Sequence, residues 1–203
     1  MNKEKKSYHH GDLRQSLLEA ATVIIRDLGL EGLSMRKLAD QVGVSRMAPY
    51  HHFKDKNELL CAIAEQGFLL QDKAVRTLAA EYPDLDAAAL FEKYVLTYVH
   101  FANEHPETYD LMFGREIWKA GQPTESLRLI SKGSFRLWVD WVETLQAQAI
   151  FNQQEPALRI AQSTWAALHG LCRLFNDGIY VNRDDLDNIA KTTVHLLISK
   201  QHR

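Results

Sequence analysis

The strongest constraint on the fold lies between residues 33 and 60, LSMRKLADQVGVSRMAPYHHFKDKNELL. Ser34 stands where it can cap a helix, and Leu33 before it and Leu38 after it occupy hydrophobic-staple positions. Met35, Leu38, Ala39 and Val42 recur at helical spacing and predict one buried face. Gly43 supplies a turn conformation, Val44 an apolar pin, and Ser45 is positioned to cap a second short helix that runs to about residue 52. The segment therefore reads as two short helices joined by a tight turn centred on Gly43-Val44.

Helical spacing continues on both sides. A first helix is expected from Asp12, which forms a capping-box pattern with Gln15; Leu13, Leu17, Ala20, Ala21, Ile24 and Leu28 mark its apolar stripe, and Gly29 ends it. A fourth begins at Asp55, paired with Glu58 in another capping box, and extends to about residue 80. Five more are expected over about 84–103, 106–113, 124–152, 156–177 and 183–200, with Pro106 and Pro156 placed as first-turn prolines. No strand-like alternation of useful length, internal repeat or low-complexity tract is visible. The expectation is an all-α protein of nine helices. A three-helix head, residues 1–53, follows a basic N-terminal arm carrying Lys3, Lys5 and Lys6. A six-helix body, residues 54–203, is joined to it by the fourth helix without a flexible linker.

Composition narrows the function classes. Of the 203 residues, 46% are hydrophobic and 25% charged, which excludes a disordered or fibrous chain. Net charge is only −2, but residues 1–60 carry ten Lys/Arg against eight Asp/Glu, while the rest carry fourteen against eighteen. A faintly basic head on an acidic body suits a small phosphate-contacting module. Cys61 and Cys172 lie far apart in apolar stretches and read as buried, reduced thiols. The longest uncharged run, residues 160–172, is short of the roughly 20 needed to cross a bilayer. With no signal-peptide pattern at the start, a cytoplasmic protein with no membrane partner is expected. A nucleophile elbow, phosphate loop, paired-carboxylate or metal-ligand constellation is not evident, so the chain reads as a non-enzyme with no metal and no cofactor.

The second short helix exposes Arg46, Met47, Tyr50 and His51 near its start: a cation, an apolar probe, a hydroxyl and an imidazole, groups that can meet phosphates and base edges in a major groove. Lys56 falls in the first turn of the fourth helix. A cation there opposes the helix dipole unless an anion such as a DNA phosphate docks beside it; otherwise it points to solvent. This stretch resembles the DNA-binding domain of the TetR family of bacterial regulators. The resemblance is carried by Ser34, Leu38-Ala39, Val42-Gly43-Val44-Ser45, Tyr50-His51-His52-Phe53, Lys56 and Leu59-Leu60, all contiguous and correctly spaced. It implies a recognition helix in which Arg46, Met47 and Ala48 face bases. Ser34, Tyr50, His51 and Lys56 would grip phosphate, Arg36 and Ser45 would complete the DNA-contacting set, and Phe53 would be core. Met47 stands where the family commonly has glycine and Pro49 where it has leucine; Pro49 removes an amide and is expected to distort this helix. The Ala48-Pro49-Tyr50 variant, the lead-in from Tyr8 to Arg14 and the Trp165-Ala-Ala-Leu-His169-Gly170 motif together resemble one branch of the family.

The body holds all four tryptophans and most of the other aromatics. Taken singly each reads as core; the resemblance implies instead a small-molecule site, and Tyr98, Phe101, Phe113, Trp138, Trp165 and His169 are the candidate lining. Arg115 is a further candidate anchor. His169, one turn after Trp165 on an apolar helix, reads as a structural histidine with a hydrogen-bond partner or as a ligand contact; a metal site with His100, Glu104 and His105 is disfavoured by spacing. The helix over 156–177 is apolar on two sides, so it is either central to the fold or shared between subunits. The resemblance favours sharing, in a homodimer that packs Leu171, Phe175, Val194 and Leu197 at a four-helix interface. The function implied is a DNA-binding transcriptional regulator that acts as a repressor. As a homodimer it would be released from a palindromic double-stranded operator by a small, largely apolar effector. The alternatives are a helix-turn-helix protein acting through protein contact and an all-α enzyme using His169 or Cys172.

Overall fold

The computed structural model describes residues 13–180 and 182–198. The basic arm, the Asp12 cap and residues 199–200 of the last expected helix lie outside the described residues. Eight α-helices follow one another: α1 (Leu13–Gly32), α2 (Met35–Val42), α3 (Lys56–Glu81), α4 (Ala87–Glu104), α5 (Pro106–Phe113), α6 (Glu125–Ala147), α7 (Ala157–Asn176) and α8 (Leu186–Leu197). Among the described residues there is no strand, so the all-α expectation is met, with six helices in the body.

The predicted caps form. Lys37 N donates to Ser34 Oγ at 3.2 Å, and Gly43, at φ 76° and ψ 32°, closes α2 by donating to the Ala39 carbonyl at 2.9 Å. At the start of α3, Glu58 N donates to Asp55 Oδ1 at 2.9 Å, while Glu58 Oε2 accepts from Lys54 N at 2.6 Å, one residue before the usual capping-box partner. Gly29, at φ 70°, interrupts α1 one turn before its end, and Leu28, placed in the buried stripe by its spacing, is 53% exposed.

The third helix of the head is not an α-helix. Ala48–His51 form a single 3-10 turn. In an α-helix the amide of residue 49 would reach the Ser45 carbonyl, and proline has none. Ala48 N takes that carbonyl instead at 2.9 Å, in the tighter spacing, and Tyr50 N bonds Met47 O at 3.1 Å in the same way. Ser45 therefore contributes its carbonyl to a turn and does not cap a helix with its side chain.

Two more boundaries move for identifiable reasons. The helix expected over 124–152 stops at Ala147; Ala149 takes a positive φ of 59° and the chain turns back, which buries Phe151 edge-on against Phe91 at 5.1 Å. Gln146 Nε2 holds that loop by donating to the Asn152 and Glu155 carbonyls. Residues 183–185 form a 3-10 turn ahead of α8.

The buried side chains gather into two clusters. One joins α1 and α2 to the first half of α3 and to Leu111 and Met112 of α5; the other joins α4, α6, α7, α8 and the far end of α3. Phe101 and Phe113 pack against both. Helices α3 and α5 approach closely at Gly67, where an added Cβ would lie 2.3 Å from Met112 Sδ and 3.0 Å from Thr108 Cγ2. Both cysteines are buried free thiols, as their apolar surroundings suggest.

One cross-tie fixes α3 to the end of α1: Lys56 Nζ donates to the Leu30 carbonyl at 2.5 Å. The ammonium thus meets the negative end of one helix dipole while sitting at the positive end of another. Lys56→Met should lower stability by about 1–2 kcal/mol in urea unfolding, since a part-buried carbonyl loses a charged donor. An unchanged midpoint would show that the tie contributes nothing.

Candidate functional site

In the head, α2 and the 3-10 turn pack on each other across Gly43. Phe53 is buried, as expected, with the Arg14 guanidinium over its ring at 5.3 Å. Ser34 and Arg36 at the start of α2, and Ser45, Arg46, Met47, Tyr50 and His51, are all exposed, Met47 at 62%. Ala48 is half-buried and Pro49 buried, so the turn presents Arg46, Met47, Tyr50 and His51 outward and anchors itself through the two residues between. Lys56 departs from both readings offered by the sequence. It neither points idly to solvent nor stands uncommitted for an anion, because one of its three donors is engaged by Leu30.

In the body, a cavity of about 350 Å³ lies between α3, α4, α6 and α7. Tyr98, Phe113, Trp138, Trp165 and His169 line it, five of the six side chains expected to; Phe101 does not, being wedged between the two cores. Arg115 also lies elsewhere, in a cleft of about 710 Å³ between α1, α5 and α7. His169 lines both spaces. Sequence reasoning missed Gln71, Asp72 and Ser134, which give the cavity a polar side, and Trp118, carried on a π-helical turn at Glu116–Ala120 and held by Nε1 donating to the Met112 carbonyl at 2.7 Å.

A chain of hydrogen bonds runs behind the cavity wall. Trp165 Nε1 donates to Tyr98 Oη at 3.2 Å, Tyr98 and Tyr109 hydroxyls are 3.0 Å apart, and Tyr109 Oη is 2.7 Å from His169 Nδ1. One direction satisfies both buried hydroxyls: Tyr98 O–H to Tyr109, and Tyr109 O–H to an unprotonated Nδ1. The reverse direction would leave the Tyr98 proton without an acceptor. His169 is then neutral with its proton on Nε2. Its electrostatics agree, because burial, with Arg173 adding to it, holds its pKa below the ordinary 6.5. Desolvation pushes Tyr94, Tyr98 and Tyr109 above the ordinary tyrosine range, so all three stay protonated donors. His169 thus combines a structural hydrogen bond with a place in the wall.

The rival chemistry finds little support. Burial pushes the Cys172 thiol up to about 12, which leaves almost no thiolate to act as a nucleophile at neutral pH. His100 Nε2 lies 2.5 Å from Asp187 Oδ1, away from any metal grouping with Glu104 and His105, and among the described residues no group of three His, Cys, Asp or Glu is placed to hold a metal. None of the helices of the described residues is long and apolar enough to cross a membrane.

The side chains expected at a subunit interface are mostly interior. Leu171, Phe175 and Val194 are buried in the chain's own second core, 6% exposed at most, because α7 and α8 pack on α4 through them; Leu197 is half-buried. The outward faces of α7 and α8 carry Ser163, Ala166, Gly170 and Leu196, the last 81% exposed.

A short helix-turn-helix on one core and an aromatic chamber inside the other define a helix-turn-helix protein with a ligand-sized cavity in its body. Residues 17–63 match bacterial regulatory proteins of the tetR family, and residues 91–197, more than half of the chain, match the tetracyclin repressor-like C-terminal domain. The chain belongs to the TetR family. Among its relatives, the class C tetracycline repressor of Escherichia coli is 44% identical over 52 residues, covering 26% of this chain and 24% of that one. The chain thus spans about a quarter of the length of the repressors it first matches. A solved structure of a protein of unknown function from Rhodococcus sp. RHA1 is 32% identical, with a TM-score of 0.79 over 95% of this chain and 97% of that one. A TetR variant from Acinetobacter baumannii AYE, solved in complex with minocycline, shares the fold at 18% identity, with a TM-score of 0.60 over 94% of each chain.

The hydrogen-bond chain makes stability depend on pH. With its folded pKa depressed, His169 contributes fully above pH 6.5, and the contribution falls as pH drops below that value, where the unfolded chain takes up the proton first. The melting temperature of the native protein should therefore fall more between about pH 7 and about pH 5 than that of His169→Gln. Tyr109→Phe, which leaves Nδ1 without a donor and the Tyr98 hydroxyl proton without an acceptor, should cost about 1–3 kcal/mol in urea unfolding.

Proposed function

We propose that this protein is a transcriptional repressor that binds a palindromic double-stranded operator as a homodimer and is released by a small, largely apolar effector. The observation that carries the reading is the exposed Arg46, Met47, Tyr50 and His51 set on a rigid turn, within the stretch that matches the family's DNA-binding part. Arg46 and Met47 would sit at base edges with Ala48 beside them, while Ser34, Arg36, Ser45, Tyr50 and His51 hold phosphates. Lys56 keeps two donors beyond the one given to Leu30 and would reach a phosphate from that fixed position. Residues 1–53 form the DNA-binding domain in this reading, and residues 54–203 the ligand-binding and dimerisation domain. A cytoplasmic location follows from DNA as the partner, and no catalytic step is assigned.

One small head of modest charge binds DNA weakly, whereas two heads on one palindrome multiply affinity and fix half-site spacing. The outward faces of α7 and α8 support pairing, since Gly170 and its small neighbours leave room for a second chain's helix and Leu196 stands unburied. Light scattering at micromolar concentration should give a dimeric mass. Ala166→Glu or Leu196→Glu should give a folded monomer, whereas Leu171→Glu should unfold the body. A monomeric native protein would overturn this arrangement.

The DNA reading is tested by titrating a selected operator and its single-base variants at several salt concentrations. Arg46→Ala should lower discrimination by about 1–3 kcal/mol at one base position per half-site. Lys56→Ala should weaken binding to all sequences alike and flatten the log-log salt slope by about one unit for each phosphate no longer neutralised. An Arg46→Ala variant with every base preference intact would show that the turn does not read DNA.

A further inference from the structure

We propose that the cavity takes an organic cation: an aromatic or aliphatic body bearing a protonated amine, with Asp72 as its counter-ion. This rests on reading the cavity as the effector site, and it adds the charge of the ligand to that reading.

Among the described residues, Asp72 and His169 are the only acidic or basic side chains in the wall; neither lysine nor arginine reaches it. His169 is already fixed as a neutral acceptor by Tyr109. The wall's charge is therefore that of Asp72 alone. Asp72 is half-buried on α3 and makes no ion pair among the described residues. Arg76, one turn on, is exposed and forms no ion pair with Asp72, though its charge favours the ionised carboxylate from a distance.

Two neighbours of Asp72 also lack partners. Gln71 is only 8% exposed and its Oε1 accepts no hydrogen bond; Ser134 Oγ, across the gap on α6, has none either. Ser134 lies near enough to favour the ionised carboxylate, but not at hydrogen-bonding geometry, so its hydroxyl counts as unpartnered. Buried polar atoms are ordinarily satisfied, and two unpartnered ones beside a half-buried carboxylate on one cavity fit a ligand that brings donors. Burial raises the Asp72 pKa, and a cation placed beside it would reverse that shift.

The rest of the wall favours the same charge. Tyr94, Phe135, Trp138 and Trp165 present aromatic surface to the cavity, and ring faces attract cations. A carboxylate or phosphate in the same place would meet the Asp72 charge and no cation in the wall itself, with only the exposed Arg76 outside it to offset the repulsion.

The test uses three ligands that share one body and differ in the head: 4-phenylbutylamine, 4-phenylbutanol and 4-phenylbutyrate. Each is titrated into the full-length protein by calorimetry, with fluorescence of the wall tryptophans as a second readout. The amine should bind about tenfold tighter than the alcohol, and the carboxylate weakest. Asp72→Asn should bring the amine to the level of the alcohol and leave the alcohol unchanged. Equal affinity for all three, or tightest binding of the carboxylate, would overturn the cation assignment while sustaining the cavity as a binding site. Binding of none of them would overturn both. The comparison on the native protein decides the matter even if Asp72→Asn does not fold.

Discussion

Helix α3 runs unbroken for 26 residues, about 39 Å, and its side chains enter both hydrophobic cores. Leu59, Leu60, Ile63 and Phe68 complete the packing of α1 and α2; Leu78 joins the core of the body; Gln71 and Asp72 lie between, on the wall of the cavity. A helix-turn-helix of two short elements cannot bury enough apolar surface by itself. It borrows α3 for that purpose, and the body uses the remainder of the same helix. The head is thus held at a defined attitude by a rigid rod, with Lys56 clamping the rod's first turn to the last turn of α1.

That arrangement gives a ligand something to act on. The cavity is bounded by α3 itself and by Phe113 and His169, whose other sides face the cleft against Ile25, Gly29 and Leu30 of α1. A molecule that prefers one spacing of these elements shifts the population of head attitudes by its difference in affinity and by no more. The Trp165–Tyr98–Tyr109–His169 chain matters here because both of its buried hydroxyls are satisfied in only one direction. A wall of that kind resists small rearrangements and yields only in discrete ones.

Much of this was legible in the sequence. The caps at Ser34, Gly43 and Asp55 and the all-α class follow from patterns within a few residues, which is the range over which periodicity and capping operate; five of the six cavity side chains come from the family resemblance, since each aromatic taken singly reads only as core. What stayed hidden depends on long-range contacts. Spacing shows that Leu171, Phe175 and Val194 are buried but not whether the same chain or a second one buries them; α4 does. The role of Lys56 depends on a carbonyl 26 residues away, and that of Tyr109 on a histidine 60 residues away. Pro49 was visible as a defect, whereas the 3-10 turn that absorbs it required knowing that Ala48 would claim the Ser45 carbonyl. No local pattern singles out Asp72, and only the position of α6 places it on a cavity wall.

The contact at Gly67 has an evolutionary consequence. Met112, which presses on that glycine, also lines the cavity, so the shape of the chamber and the seat of α5 on α3 are set by the same few atoms. A substitution that enlarges the chamber at Met112 loosens the seat, and one that fills Gly67 remodels the chamber. If the cavity holds the proposed effector, what is recognised and how strongly the head responds cannot drift separately at this point, and a lineage that changes its ligand there has to retune its switch in the same step.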